Sequence, residues 1–336
     1  MSRAQVTSTV EQNTGGAVAP FVAGKNKIIN GDFGIWQRGT SINLTASVPT
    51  FLADRFSAYM DSNAGTVTYS RQTFTPGTAP VAGYEGQYFA RITTGGNCNL
   101  SFSNFLEDVR TLAGQVVTIS WWAKASTTKT FYTLLRQSFG TGGSADVNQS
   151  NTWTATTTWQ RFTFTYVLPS ISGKTIGTGS YLLLQLIQYG SSTGNYDIDI
   201  WGVQLEAGSV ATPFTTATGT LSGELAACQR YYQRFTSTAT TGTIIPIGLA
   251  YSSTGLIFQQ PLLVSMRTSP TVIDYANVRG NDTNTPYTLG AITIDANNGS
   301  PTMAYLASTT TGLTTYRPIY ATGNGTVGYI GISAEL

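Results

Sequence analysis

Between residues 26 and 214, apolar side chains recur at every second position in one short run after another, with turn-forming clusters between the runs. A repeat of two is the signature of a pleated strand with one buried face. In VVTISWW, Val117, Ile119 and Trp121 oppose Thr118, Ser120 and Trp122. In WQRFTFTYV, Phe162, Phe164 and Tyr166 oppose Trp159, Arg161, Thr163 and Thr165. Val67 and Tyr69 share a face of TVTYSRQ, and in DRFSAYM Phe56, Ala58 and Met60 oppose Arg55, Ser57 and Tyr59. The run YLLLQLIQY, 181–189, is apolar on both faces and predicts a central strand. Turns are predicted at Asn63-Ala64-Gly65, Pro76-Gly77, Gly95-Gly96-Asn97, 140–143 and 190–195. Short one-faced strands must bury their apolar sides against each other. The pattern therefore predicts an all-β fold: a jelly-roll β-sandwich over residues 25–217.

One stretch departs from the repeat of two. In LSGELAACQRYYQRF, Leu221, Leu225, Cys228, Tyr232 and Phe235 follow spacings of four, three, four and three, one face of an α-helix. Thr220 or Ser222 can cap its start, Glu224 suits its first turn, and Arg230 and Arg234 suit its last. A connecting helix is predicted over 218–235. It either docks on a neighbouring sheet or forms a seam between copies of the chain through Leu221, Leu225, Cys228 and Tyr232.

Residues 236–336 return to β character, with strands expected at 243–250, 256–264, 271–275, 291–295, 302–306, 318–321 and 327–333. Asn324-Gly325 signals a hairpin between the last two, and Asn297-Asn298-Gly299 and Gly280-Asn281-Asp282 signal further turns. A small C-terminal β-sandwich is expected. Lysine is absent after Lys174, so this part is lightly charged, which suits either self-association or a solvated Ser/Thr surface. Residues 1–24 are small and polar and read as an arm, either disordered or ordered on a partner.

Charge narrows the functions. Charged residues are 10 % of the chain and net charge is +2, with no cluster of Lys or Arg, so a nucleic-acid partner is not expected. No run reaches the ~20 apolar residues that span a bilayer, and the opening MSRAQVTSTVEQNTGG lacks the apolar core of a secretory signal. Synthesis and folding in a cytoplasm are expected, with Cys98 and Cys228 reduced and buried rather than bridged. The chain has no histidine, which excludes Ser-His-Asp and Cys-His catalysis and imidazole metal ligands.

What remains is binding. A sugar is held by an aromatic face against its apolar side and by polar groups on its hydroxyls. Trp122, Trp159 and Tyr59, with Arg55, Arg161 and Gln185, lie on polar strand faces and are the candidates for a glycan-facing sheet. A large ring on a polar strand face more often marks an interface, so the same rings also suit covering the sandwich edge, a second domain or another subunit. Trp153 and Tyr84, in expected loops, are further candidates. Trp121, Phe162, Phe164 and Tyr166 are expected in the core. Asp197 and Asp199 flank Ile198 and share a face, either as an exposed pair bonded to loop amides or beside a cation. An enzyme would have to work with carboxylates alone, among Asp54, Asp61, Glu85, Asp197 and Asp199.

Lys27-Ile28-Ile29-Asn30-Gly31-Asp32-Phe33, Trp36-Gln37-Arg38-Gly39 and Ala53-Asp54-Arg55-Phe56 resemble the opening of bacteriophage tail-fibre-type proteins that carry a carbohydrate-binding-module-like jelly roll. Trp121 to Lys124, Val203-Gln204-Leu205-Glu206-Ala207-Gly208 and Ala211-Thr212-Pro213-Phe214 are similar to the middle and end of that module. Cys228-Gln229-Arg230-Tyr231-Tyr232 is similar to the helix after it, and Met266-Arg267-Thr268-Ser269-Pro270 and Ala334-Glu335-Leu336 to the C-terminal part. The resemblance implies a virion component, a homotrimeric tail fibre or receptor-binding subunit that touches host-surface polysaccharide. Its arm, 1–24, would be held by tail, baseplate or capsid proteins. It also implies a structural calcium where first and last strands meet, with Asn30 or Asp32 completing a site on Asp197 and Asp199. A head fibre or capsid decoration protein is the alternative in the same particle, and a surface-polysaccharide depolymerase the alternative of another class. No cofactor beyond that calcium is expected.

Overall fold

A computed structural model describes residues 23–61, 65–81, 84–188, 194–282 and 285–336. Nearly all of the arm, the turn at 63–64 and most of the turn at 190–195 lie outside the described residues. The chain divides into two compact units. The first takes residues up to Gly34 and Thr40–Glu224; the second takes Ile35–Gly39 and Leu225–Leu336. Among the described residues, no helix is long and apolar enough to cross a membrane.

The first unit contains β1 (Ser41–Asn43), β2 (Thr50–Phe51), β3 (Phe56–Met60), β4 (Thr66–Thr73), β5 (Tyr88–Gly95), β6 (Leu100–Leu106), β7 (Val116–Ala125), β8 (Lys129–Ser138), β9 (Val147–Ala155), β10 (Gln160–Val167), β11 (Tyr181–Ile187) and β12 (Tyr196–Ala207). They form two six-stranded antiparallel sheets, β1-β4-β5-β12-β7-β10 and β2-β3-β6-β11-β8-β9. Apart from the hairpin pairs β2-β3, β4-β5 and β8-β9, successive strands cross from one sheet to the other, as in a jelly roll. The alternation reads the inner faces correctly. Val67, Tyr69, Val117, Ile119, Trp121, Phe56, Ala58 and Met60 are buried, and β11 is central. Tyr166 is buried too, whereas Phe162 and Phe164, on the edge strand β10, are half-buried.

Two ring clusters fill the space between the sheets. Phe56 stacks on Phe102 at 5.5 Å, with Phe33 4.5 Å from Phe56 and Tyr69 edge-on to Phe102. Trp121 meets Trp153 edge-on at 5.2 Å, and Phe131 bridges Trp153 and Tyr196. Rings at these spacings combine a large buried area with favourable quadrupole geometry.

The helix, α1 (Leu221–Gln229), is shorter than its 3-4 pattern. Thr220 caps it, its Oγ1 accepting from the Gly223 amide at 3.1 Å, and Glu224 lies in the first turn as expected. The chain then turns tightly through Tyr231 N–H to Cys228 O and enters β13 (Tyr232–Thr236). Tyr232 and Phe235 are therefore strand residues, and Arg230 and Arg234 lie beyond the helix. The cause is pairing: β13 lies against β23 (Tyr329–Ser333), a partner that local periodicity does not reveal. The unit boundary falls inside α1, after Glu224.

The second unit also holds β14 (Thr243–Ile245), β15 (Gly248–Ala250), β16 (Gly255–Pro261), β17 (Val272–Ala276), β18 (Val278–Asn281), β19 (Pro286–Tyr287), β20 (Thr293–Ile294), β21 (Met303–Thr309) and β22 (Tyr320–Gly323). Instead of one two-sheet sandwich it has three small sheets, β13-β23-β17, β14-β22-β18-β19 and β15-β16-β21-β20. They surround Ile245, Leu256, Phe258, Leu306, Ile319, Ile330 and Ile332. The strand expected at 243–250 is split at Pro246, which has no N–H for a ladder, and its halves join different sheets. The chain bends at Asn324-Gly325, with Gly325 at φ 73°, but β22 and β23 diverge into separate sheets rather than pairing as a hairpin. Gly280 and Asn281 belong to β18, not to a turn.

Candidate functional site

The outer face of the sheet containing β7 and β12 carries a group of aromatic and charged side chains. Register explains it. Arg91 on β5 is opposite Asp199 on β12, which is opposite Lys124 on β7. Arg91 Nε and Nη2 donate to the two oxygens of Asp199 at 2.7 and 2.8 Å, and Lys124 Nζ lies 3.7 Å from Oδ2. Asp199 is almost fully buried beneath them, and its hydrogen bonds hold the Arg91 guanidinium's pKa above its usual value. Two residues along, Asp197 Oδ1 accepts from Thr93 Oγ1 at 2.6 Å.

These groups line a cavity of about 170 Å³ whose walls are Arg91, Lys124, Ala125, Ser126, Thr157, Asp197 and Asp199. Drug-sized sites span roughly 300–1,000 Å³, so this one holds part of a ligand rather than enclosing it. The half-buried Trp159, two residues after Thr157, flanks the cavity: Lys124 Nζ stands 5.4 Å from its ring, and Phe89 meets it edge-on at 5.5 Å. As the spacing implies, Asp197 and Asp199 do share a face.

Trp122 is on this face too, but it is only 8 % exposed. Trp201 lies directly opposite it at 5.6 Å, Phe214 lies edge-on at 6.3 Å, and the Arg161 guanidinium covers it at 4.6 Å. At Gly202, in the left-handed region, an added Cβ would stand 2.7 Å from Trp122 Cε3, so a glycine is needed for this approach. Arg161 also donates to Ser120 Oγ and the Thr212 carbonyl. Trp122 and Arg161 thus build a second, outer aromatic layer and present no open glycan platform. Tyr84 belongs to this layer, against Trp201 and Phe214, with its hydroxyl bonded to Asp32 Oδ2 at 3.1 Å. Burial, reinforced by the Asp32 carboxylate, pushes that hydroxyl's pKa far up.

The remaining candidates do not join this face. Tyr59 and Gln185 lie on the opposite sheet, across from Ser101 and Ser103, and Gln185 Nε2 donates to Ser103 Oγ at 3.2 Å. Arg55 is 1 % exposed and its guanidinium donates to the Phe105 carbonyl, so it is a structural residue. Trp153 is in β9 rather than a loop, buried, with its indole N–H on the Leu186 carbonyl.

The four residues assigned to calcium are not assembled into one site. Asp32, Asp197 and Asp199 form no common cluster among the described residues. Asn30 is fully buried; its amide N–H donates to Glu224 Oε2 and its Nδ2 to the Asp54 carbonyl. Asp199 is neutralised by cations instead. Of the acids weighed for catalysis, Asp197 and Asp199 share a cavity, and both oxygens of Asp199 are bound by Arg91. The seam residues separate as well. Leu221 is 69 % exposed and Leu225 half-buried, whereas Cys228 and Tyr232 are buried within the chain.

Arg91, Lys124, Ser126 and Thr157 are not among the site candidates that the sequence offers. For Arg91 and Lys124 the signal is charge opposite to Asp199 on neighbouring strands, which becomes visible once register is known; Ser126 and Thr157, in loops, carry no such signal.

No protein-family model matches the chain, and no curated protein matches it. Among solved structures, TmCBM61 in complex with β-1,4-galactotriose is 12 % identical, with a TM-score of 0.33 over 55 % of this chain and 99 % of that one. A family 11 carbohydrate-binding module from Clostridium thermocellum, in complex with a β-1,3-1,4-mixed-linked tetrasaccharide, is 11 % identical, with a TM-score of 0.32 over 52 % and 98 %. The enzymatically active domain of bacteriophage CBA120 tailspike protein 4 is 14 % identical, with a TM-score of 0.32 over 55 % of this chain and 21 % of that one. These similarities assign no residue a role.

Proposed function

We propose that the first unit binds glycan at the cavity beside Trp159, and that the chain is a non-catalytic attachment subunit of a bacteriophage particle. The observation that carries the glycan reading is the pairing of a half-buried indole with donors and acceptors, Lys124, Ser126, Thr157 and Asp197, around one cavity. A ring face and convergent polar groups are what a pyranose requires. The ion pair beneath is locked, so the site is preorganised and loses little entropy on binding.

The virion reading rests on the ordered sequence blocks at 27–33, 36–39, 53–56, 203–208, 211–214 and 228–232 and their resemblance to tail-fibre-type proteins. In this reading the subunit is a homotrimeric tail fibre or receptor-binding protein, held in the particle by residues 1–24.

A glycan array probed with the chain and with Trp159→Ala tests the site. Binding that falls about tenfold or more in the variant supports it, the equivalent of ~1.4 kcal/mol. An array without signal, or equal signal from both proteins, overturns it. Mass spectrometry of purified particles tests the virion assignment, and absence of the chain from them overturns it.

A further inference from the structure

We infer that the cavity beside Trp159 selects neutral hexoses and rejects uronates, and that Asp197 is the residue that sets this choice. The inference rests on the glycan reading above and goes on to name the class of sugar. Two cations, Arg91 and Lys124, and two carboxylates, Asp197 and Asp199, line the cavity, so their formal charges cancel. The cancellation is local. Arg91 is held by both oxygens of Asp199 and offers those N–H groups to nothing else.

Two of the charged groups keep capacity for a ligand. Lys124 Nζ touches Asp199 only at 3.7 Å, beyond hydrogen-bond length, and keeps donors to spare. Asp197 spends Oδ1 on Thr93 and keeps Oδ2 as an acceptor. One anionic acceptor and one cationic donor on the same cavity match neighbouring hydroxyls of a neutral ring: one donates to Asp197 while the other accepts from Lys124. A sugar carboxylate placed where a hydroxyl would donate to Asp197 meets like charge there, and Lys124, the one cation with donors to spare, already stands beside the Asp199 carboxylate. Like charges brought together in a partly desolvated site are costly, so the site discriminates by repulsion as well as attraction.

The test uses glucan, mannan and galactan oligosaccharides and the same oligosaccharides oxidised at C6 to uronates, titrated calorimetrically into the full chain and into Asp197→Asn. The expected result is a preference of about tenfold or more for at least one neutral member over its oxidised partner. Asp197→Asn should bind that neutral sugar more weakly and lose most of the preference. Lys124→Gln should weaken neutral binding without creating uronate binding. An oxidised sugar bound as well as its neutral parent overturns the inference and leaves the glycan reading standing. An unchanged preference in Asp197→Asn removes Asp197 from the role. Binding of no member of either set, by a chain shown to be folded, overturns both.

Discussion

Arg91 grips Asp199 through both carboxylate oxygens, at 2.7 and 2.8 Å, across the boundary between two neighbouring strands. Asp199 is buried and Arg91 about a third exposed, so the pair is partly shielded from water. Removing the arginine strands a buried carboxylate with only Lys124 nearby. Arg91→Met should destabilise the first unit by roughly 2–3 kcal/mol, less than a fully buried pair because solvent still reaches one partner. The double variant Arg91→Met/Asp199→Asn should recover most of the loss. Chemical denaturation of the three proteins checks this, and no recovery in the double variant would count against an isolated charge as the cause.

The two outward tryptophans should separate cleanly. Trp122 lies under Trp201, Phe214 and Arg161, so Trp122→Ala opens a cavity and should cost about 3–5 kcal/mol. Trp159 is half-buried, so Trp159→Ala should cost under about 2 kcal/mol and act mainly on glycan binding. Melting temperatures set beside array signal distinguish them. A large stability loss from Trp159→Ala with unchanged binding would reverse the assignment.

Acid should act through Glu206. Burial opposes its charge, but bonds from the Thr212 amide, Thr212 Oγ1 and Gln204 Nε2, with Lys25 at 3.4 Å, outweigh burial and hold its pKa below the ordinary 4.5. A depressed folded pKa gives stability that is present above 4.5 and lost as pH falls through the folded value. Asp32 acts in the opposite sense: burial raises its pKa, so acidification relieves an unfavourable charge. Glu206→Gln should therefore flatten the acid loss of stability, and Asp32→Asn should steepen it. Unfolding free energies between pH 7 and pH 3 read both slopes, and parallel curves for wild type and Glu206→Gln would rule the account out.

Assembly and folding can be told apart at the helix and the strand after it. Tyr232 is buried, its hydroxyl bonded to Asp274 and its ring covered by Arg38 at 3.6 Å, so Tyr232→Asp should unfold the second unit. Burial and the Asp274 carboxylate both push the Tyr232 hydroxyl far up its scale, which keeps it neutral in this setting. Leu221 is exposed, so Leu221→Asp should leave stability within about 0.5 kcal/mol of wild type. If the chain trimerises through the helix, Leu221→Asp lowers the mass measured by mass photometry while the melting temperature holds. An unchanged oligomer puts the contact elsewhere.

The second unit shows how far a local reading reaches. Ile35–Gly39 belongs to it although the segment lies in the N-terminal part of the sequence. Gln37 donates to the Tyr232 carbonyl, Arg234 donates to the Gln37 and Arg38 carbonyls, and Arg38 pairs with Glu335. The motif Trp36-Gln37-Arg38-Gly39 is visible in sequence, but its partners are set by contacts between segments far apart in the chain.

Alternation alone determined β3, β4, β7 and β10, the inner positions of Trp121, Ile119 and Tyr69, and the shared face of Asp197 and Asp199, because strand geometry forces every second side chain to one side. It could not tell an outward ring that meets solvent from one that meets another layer. Trp122 and Trp159 look alike in the sequence, but Phe214 and Trp201 bury the first, whereas the second is only half-buried. Nor could it bring Arg91 to Asp199 or Tyr232 to Ser333, since register joins residues far apart in the chain. Period is a property of neighbours along the chain, whereas cover and charge pairing are properties of neighbours in space.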